Sequence, residues 1–379
     1  MEIIGIVAEY NPFHNGHLYQ IQKIKEKYPD SILVAVVSST FTQRGTVSML
    51  NKWTKTKIAL DNHIDIVIEL PFVYATQSSD IFAKGAVTLL NKLKVTRIIF
   101  GTERDNLNEL SLSADIQLNN KEYHKLVKLY LSKGLNYPTA TNKALEDLTG
   151  QVVTTPNDLL ALSYIKEIKS NNYQIKYENI KRTSSYHGTE INNNITSASN
   201  IRKLYQENKD IDNLIPYSKE QLYKVDMNKF LPLLKYQIFL NQDNLNKYQT
   251  VDEGIEGRII KYITKSSTYE ELINNIKTKR YTYNKISRML LHILISFTKE
   301  EAQNINIDYI RLLGFSPNGK HYLNKIKKEL DVPLITGYKK YISKVLDIEL
   351  RTTKIYTLII GNELLLEEYR NKPIIVQKK

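Results

Sequence analysis

A chain of 379 residues with 42% apolar and 25% charged side chains has the make-up of an ordinary folded protein of two or three domains, able to bury a substantial core. The absence of cysteine excludes disulfides, thiolate nucleophiles, iron–sulfur clusters and cysteine-ligated zinc together. The 53 Lys and Arg against 40 Asp and Glu leave a formal charge of +13, which favours a polyanionic partner; no apolar run of membrane-spanning length and no secretory leader is readable, so a cytoplasmic protein is expected.

In chain order, short apolar runs predict strands at Ile3 to Ala8, Ile32 to Val37, Ile64 to Glu69, Arg97 to Phe100 and Gln174 to Asn179. Amphipathic stretches between them predict helices near Leu18 to Lys27, Lys52 to Asp61, Ser79 to Leu93, Asn106 to Asn119, Lys121 to Lys133 and Asp158 to Ser170. This alternation is the pattern of a parallel sheet covered by helices, so residues 1–205 read as a doubly wound, Rossmann-like α/β domain. Beyond Leu204 strand signals fade. Periods near 3.6 appear around Leu222 to Asn241, Ile255 to Lys265, Glu270 to Lys277, Ile286 to Phe297 and Tyr338 to Val345, so residues 206–379 are expected to form a mostly helical second domain. That second part carries 29 basic against 21 acidic residues, the longer first part 24 against 19. The basic excess is therefore concentrated in the helical part.

The chemistry is most legible in IIGIVAEYNPFHNGHLYQIQ, where a buried strand runs through a tight turn into a helix. In open α/β sheets that junction binds nucleotides, because the first helix offers unpaired N–H groups and a positive dipole end to phosphate. His14 and His17 stand three residues apart at the helix start and can face one point, and Gly16 permits close backbone approach. Two imidazoles aimed at a phosphate would stabilise the charge that develops as pyrophosphate leaves. Zinc is the competing use of a His-x-x-His pair, but there is no cysteine and the other five histidines are scattered, so no metal site is assigned.

HNGH resembles the HxGH signature of the nucleotidylyltransferase superfamily, whose members attack the α-phosphate of a nucleoside triphosphate and expel pyrophosphate. ITSASNIR at Ile195 to Arg202 is similar to its second signature, ISSTxIR, in the right order and about 180 residues downstream. The resemblance implies that Ser197 and Ser199 cap a helix whose N-terminus holds the β and γ phosphates, with Arg202 nearby. A Ser-Ala-Ser before an amphipathic start is a good N-cap on its own account.

A narrower likeness rests on EYNPFHNGH, FTQRG at Phe41 to Gly45, NKW at Asn51 to Trp53, DIVIELPF, FGTE, NYP at Asn136 to Pro138, PNDLLALSY at Pro156 to Tyr164 and TKRYTYNKISRMLL. In that order they resemble the bacterial tRNA(Met) cytidine acetate ligase family over most of the chain. The resemblance implies that ATP and acetate are co-substrates, with Mg²⁺ on the nucleotide. It further implies an acetyl-adenylate intermediate and acetylation at N4 of the wobble cytidine of elongator tRNA(Met). It places the ATP site on Val7, Ala8, Glu9, Tyr10, Asn11, Pro12, Phe13, His14, Asn15, Gly16, His17, Leu18, Tyr19 and Gln20, on Gly101 after the fourth strand, on Asn157 at a helix start, and on Arg182 after the fifth strand. Read locally, Asn157 could equally be an N-cap and Gly101 a simple turn.

Two departures bear on the acyl pocket. The family reads SGxFxQRG where this chain has SSTFTQRG, and PNN where it has PND, which loses a loop glycine and adds a carboxylate, Asp158, near the expected nucleotide. The readings that compete are a nucleotidylyltransferase for a small substrate and a non-catalytic RNA-binding protein. The long basic extension argues against the first, and the two intact signatures argue against the second. For the RNA, Lys277 to Arg288 (KTKRYTYNKISR) is the expected contact: Lys279, Arg280, Lys285 and Arg288 for phosphates, Tyr281 and Tyr283 for stacking on bases. The competing reading is a solvated helix face beside a core stripe.

Overall fold

The computed structural model describes residues 1–182, 190–252 and 254–377. The first half follows the expected alternation: β1 (Ile3–Ala8), α1 (Asn15–Lys27), β2 (Ile32–Ser38), α2 (Lys52–Asp61), β3 (Ile66–Leu70), α3 (Phe72–Ala75), α4 (Ser79–Lys92) and β4 (Arg97–Thr102). Four helices then precede the fifth strand: α5 (Leu107–Asn119), α6 (Lys121–Ser132), α7 (Tyr137–Thr149), α8 (Pro156–Ser170), β5 (Lys176–Lys181) and, after it, α9 (Ala198–Gln206). The rest holds α10 (Leu231–Leu240), α11 (Ile255–Ile263), α12 (Tyr269–Ile276), α13 (Tyr283–Ile295) and α14 (Lys299–Gln303), then β6 (Ile310–Phe315), α15 (Pro317–Ile326), β7 (Leu334–Ile335), α16 (Lys344–Ile360), α17 (Glu363–Arg370) and β8 (Ile374–Ile375).

One sheet runs through the molecule in the order β5-β4-β1-β2-β3-β6-β7, with β8 also on β6. The five strands of the first half are parallel. Every residue of β2 is buried, because helices cover both faces, and successive side chains feed two separate cores, Val34 and Val36 on one face and Leu33, Ala35 and Val37 on the other. Strand order reverses between β1 and β4. Their carboxyl ends therefore splay apart into a crevice, which is where the sequence places its phosphate chemistry.

The expectation for the second part needs correction at the sheet. It is rich in helix, but β6 pairs antiparallel with β3 (Ile66 opposite Phe315), so residues after 205 complete the sheet of the first half. Tyr338 to Val345, expected to be helical, is a 3₁₀ turn and extended chain; the helix starts at Lys344, capped by the Ser343 hydroxyl.

A buried ion cluster locks this joint. Arg311 of β6 is 1% exposed and pairs with Glu69 of β3 at 3.4 Å and with Glu368 of α17. Lys52 of α2 pairs with Glu69, with Glu368 at 3.2 Å and with Glu349 of α16 at 3.5 Å. Glu349 accepts from the Ser39 hydroxyl and from the Phe72 N–H at 2.7 Å, and burial beside Glu69 raises its carboxyl to about 7. Removing one member of such a cluster strands the opposite charge in a dry interior. Arg311→Met should therefore cost about 3–5 kcal/mol in a denaturant titration. A loss under about 1 kcal/mol would mean that the cluster does not hold the two halves together.

Candidate active site

Beyond Ala8 the backbone turns through Tyr10, at φ 45°, and a cis Asn11–Pro12 bond before α1 begins. His14 is the N-cap of α1. Its Nδ1 accepts from the Gly16 N–H at 3.0 Å, and its own backbone N–H donates to Nδ1 of His17 at 3.2 Å. With both Nδ1 atoms accepting, each neutral ring must carry its proton on Nε2 and so keeps an N–H donor for a ligand. The two ring centroids are 4.0 Å apart, and Tyr10 meets His17 edge-on at 5.0 Å. The glycine of HNGH follows from this packing: a Cβ on Gly16 would stand 2.7 Å from Cε1 of the His14 ring.

Burial pushes His14 down to about 3, and the charges of Arg182 and Arg202 add to the effect. His17 is held well below the usual imidazole value by burial, then by His14 and Arg182. Both rings are thus neutral donors in a positively charged site before any anion arrives.

A second helix start faces them. Ser197 caps α9 by accepting from the Asn200 N–H at 3.2 Å, and its hydroxyl lies 2.9 Å from that of Ser199. The Asn15 amide donates to the carbonyls of Asn194 at 2.9 Å and Asn213 at 2.8 Å, which ties the start of α1 to the chain around α9. Arg202 donates to the Asn11 carbonyl at 2.6 Å, so its guanidinium is fixed at the β1 turn.

These groups border one cavity of about 620 Å³ at the crevice between β1 and β4, well within the range of small-molecule sites. Of the expected ATP residues, Val7 to Asn11, His14, His17, Gln20, Gly101, Asn157, Arg182, Ser197, Ser199 and Arg202 line it. Gly16 and Tyr19 line a smaller adjoining recess. Pro12, Phe13, Asn15 and Leu18 line neither: Phe13 is fully buried, and Asn15 serves as the tie between helices. At Gly101 a Cβ would come within 3.3 Å of the Arg182 side chain, so the glycine lets Arg182 lie across the end of β4.

Two expectations about carboxylates and caps are corrected. Asp158 does not face the cavity. It is fully buried, accepts from the Glu103 N–H at 2.9 Å and lies 3.5 Å from Arg104, while Glu103 in return accepts from the Asp158 N–H at 3.2 Å. Asn157 is not the N-cap of α8, which is Thr155; its amide donates to Glu103 at 2.6 Å. The serine replacing the family's loop glycine also points away, for Ser39 is 2% exposed and serves the Glu349 cluster.

Sequence reasoning missed the opposite wall. Thr42, Gln43, Arg44 and Thr46 of the FTQRG loop, Tyr137 and Pro138 of NYP, and Thr282, Asn284 and Arg288 border the same cavity. The FTQRG and NYP motifs were the available signal. The expected RNA segment is divided by the structure: Lys279 and Arg280 are exposed and Lys285 half-buried over the Tyr281 ring, whereas Arg288 faces into the cavity. Tyr281 cannot stack on a base, since it is 3% exposed and its hydroxyl donates to the Asp252 carbonyl. Tyr283 stays open at 36%.

Comparison with known proteins agrees with this architecture. Residues 1–370 match the model of the HIGH Nucleotidyl Transferase family, to which the chain belongs. Within it, the chain is 34% identical over 400 residues to the tRNA(Met) cytidine acetate ligase of Anoxybacillus flavithermus, covering 99% of this chain and 100% of that one. It is 40% identical over 342 residues to the enzyme of the same name from Fusobacterium nucleatum, covering 86% and 85%. The crystal structure of Thermotoga maritima TmcAL superposes with a TM-score of 0.91 at 27% identity, and its form bound with alpha-thio ATP with 0.89 at 28%, each over 100% of both chains. The chain is a member of the tRNA(Met) cytidine acetate ligase family. Among the described residues no helix is long and apolar enough to cross a membrane.

The histidine chemistry has a direct readout. In the free protein, long-range proton–nitrogen NMR should show His14 neutral, with its proton on Nε2, down to about pH 4, whereas an ordinary imidazole is fully charged there. Because the folded-state values lie below the ordinary one, stability should also fall as pH drops below about 6.5. An imidazolium signal from His14 at about pH 5 would contradict the tautomer and charge assigned to it.

Proposed function

We propose that this chain activates acetate with ATP to acetyl-adenylate and pyrophosphate, and then transfers the acetyl group to N4 of the wobble cytidine of elongator tRNA(Met). The observation that carries the first step is the convergence of two neutral imidazole donors, the α9 N-terminus, Arg182 and Arg202 on one cavity at the point where strand order reverses.

An acetate oxygen attacks the α-phosphate in line as the bond to the pyrophosphate oxygen breaks. No covalent enzyme intermediate is needed, so the protein's work is positioning and charge stabilisation. The Nε2–H donors of His14 and His17 stabilise charge on the phosphate oxygens, and the positive end of α9 receives the β and γ phosphates, beside the Ser197 and Ser199 hydroxyls. Arg182 and Arg202 supply the counter-charge. Because these groups are already in place, little reorganisation is left for the moment of reaction. Mg²⁺ accompanying the nucleotide would neutralise further charge. Among the described residues no three His, Asp or Glu side chains are grouped to hold a metal.

In the second step the exocyclic amine attacks the acetyl carbonyl and AMP leaves. The cavity wall supplied by Thr282, Asn284 and Arg288 supports an RNA substrate, since the exposed Lys279 and Arg280 lie only a few residues before it in the chain. We assign Lys279, Arg280 and Lys285 to phosphate contacts outside the cavity, where a polyanion would first be met.

The test is acetate-dependent exchange of labelled pyrophosphate into ATP. His14→Ala and His17→Ala should each keep the fold by circular dichroism and lower exchange about a hundredfold, equivalent to about 3 kcal/mol of transition-state stabilisation. Exchange near the wild-type rate in both variants at saturating ATP would refute the roles given to the histidines.

A further inference from the structure

The NYP motif borders the cavity but has no role in the activation of acetate, and it lies where the two halves of the chain meet. Asn136 caps α7: its Oδ1 accepts from the Thr139 N–H at 3.0 Å and from the Thr139 hydroxyl at 2.9 Å. Its Nδ2 donates to the Lys279 carbonyl at 3.2 Å, so the side chain that starts the helix also ties it to the basic segment of the later half. Tyr137 follows at the first helical position. Its carbonyl accepts from the Thr141 hydroxyl at 3.0 Å, and Pro138 stands next, in the first turn, where a missing N–H costs nothing. Ala140, Ala144 and Leu145 anchor the helix in the core. The backbone that carries the tyrosine is therefore firmly placed.

The ring itself is open. Among the described residues five tyrosine and phenylalanine side chains border the cavity, and four of them, Tyr10, Phe82, Phe100 and Tyr164, are at most 6% exposed and belong to the cores. Tyr137 is 56% exposed. It is the aromatic face that this wall offers to a planar ligand. Two such ligands enter the site under the function proposed above, the adenine of ATP and the cytosine of the RNA. The recess that adjoins the cradle, lined by Gly16, Tyr19, Gly101 and Arg182, has an aromatic side chain of its own and does not include Tyr137. Tyr137 instead adjoins the basic segment through the bond from Asn136 to Lys279, and both Lys279 and Arg280 are exposed there.

We infer that Tyr137 is the stacking platform for the cytosine that is acetylated. A strand held by its phosphates on Lys279 and Arg280 runs past the Tyr137 ring into the cavity. The wobble base must leave its neighbours in the anticodon to reach an acyl-adenylate, and the ring face replaces the stacking it gives up. Stacking fixes the plane of the base and leaves its edge, with the exocyclic amine, uncovered for attack on the acetyl carbonyl. This rests on the function proposed above and gives the second half-reaction a binding residue of its own.

The test pairs a change in the protein with a change in the RNA. Affinities of wild-type protein, Tyr137→Ala and Tyr137→Phe are measured for elongator tRNA(Met) and for the same tRNA with an abasic wobble nucleotide. Single-turnover transfer from preformed acetyl-adenylate and pyrophosphate exchange without tRNA are followed alongside. Tyr137→Ala should weaken binding of the normal tRNA about tenfold to a hundredfold and lower transfer at sub-saturating tRNA in proportion, whereas Tyr137→Phe, which keeps the ring, should stay near wild type. The abasic tRNA should bind the wild type and Tyr137→Ala alike. A loss of folded protein would weaken both RNAs equally, so the comparison isolates the base. An equal weakening of both RNAs in Tyr137→Ala, no weakening of either, or a Tyr137→Phe variant as impaired as Tyr137→Ala would overturn the inference. A raised KM for ATP in exchange would move the ring to adenine and overturn it too. Failure of the wild-type protein to acetylate tRNA would instead refute the underlying function, so the two failures are distinguishable.

Discussion

Asn11 is the knot on which the site depends. Its carbonyl accepts from Arg202 on α9, its side-chain oxygen accepts from the Met49 N–H at 2.9 Å, and its amide lies 3.5 Å from the Val47 carbonyl. One buried residue at the end of β1 thereby fixes the loop after β2, the turn that delivers His14, and the arginine of the second signature, which come from positions up to 191 residues apart. Each bond is worth about 1 kcal/mol net, but an unsatisfied partner in this interior would cost about 1–3 kcal/mol, so the three loops are held to one arrangement. The rigidity is chemically useful, because donors already aimed at a developing charge need no reorganisation when the charge appears.

The second constraint is the union of the two halves of the chain. The Arg311, Lys52, Glu69, Glu349 and Glu368 cluster ties β6 and the last two long helices to the sheet, and Ser39 extends it to the loop after β2. With α13 seated on Gly45, the later half is both an edge of the sheet and a wall of the cavity. A division of labour between a catalytic unit and an RNA-binding unit is therefore a matter of surfaces more than of separate bodies. The adenylate site and the expected RNA face share one rim.

How much of this was readable from the sequence follows from which interactions are local. The strands β1 to β4 were legible because buried parallel strands are near-continuous apolar runs, and HNGH was legible because a capped helix start is a local pattern. β6 was not, since Ile310–Phe315 is a short apolar run with an arginine in it, in a region where periodicity favoured helix; only its pairing with β3 makes it a strand. Asp158 was expected near the nucleotide because adjacency to Asn157 suggested it, yet successive residues of a helix point in different directions, and its partner Glu103 lies 55 positions away. The opposite wall was signalled only by the FTQRG and NYP motifs, because Arg44 and Arg288 come to line one cavity through a fold that no local pattern encodes.

The central claim is that this cavity makes acetyl-adenylate and delivers its acyl group to one cytidine. The most direct measurement is to incubate the full chain with unmodified elongator tRNA(Met), ATP and isotopically labelled acetate, then digest the RNA and weigh its nucleosides and fragments by mass spectrometry. The account predicts labelled acetylcytidine at the wobble position alone, with AMP and pyrophosphate formed in step with it. Release of ADP and phosphate in place of AMP and pyrophosphate, or tRNA recovered without label while the histidine site is intact, would contradict it.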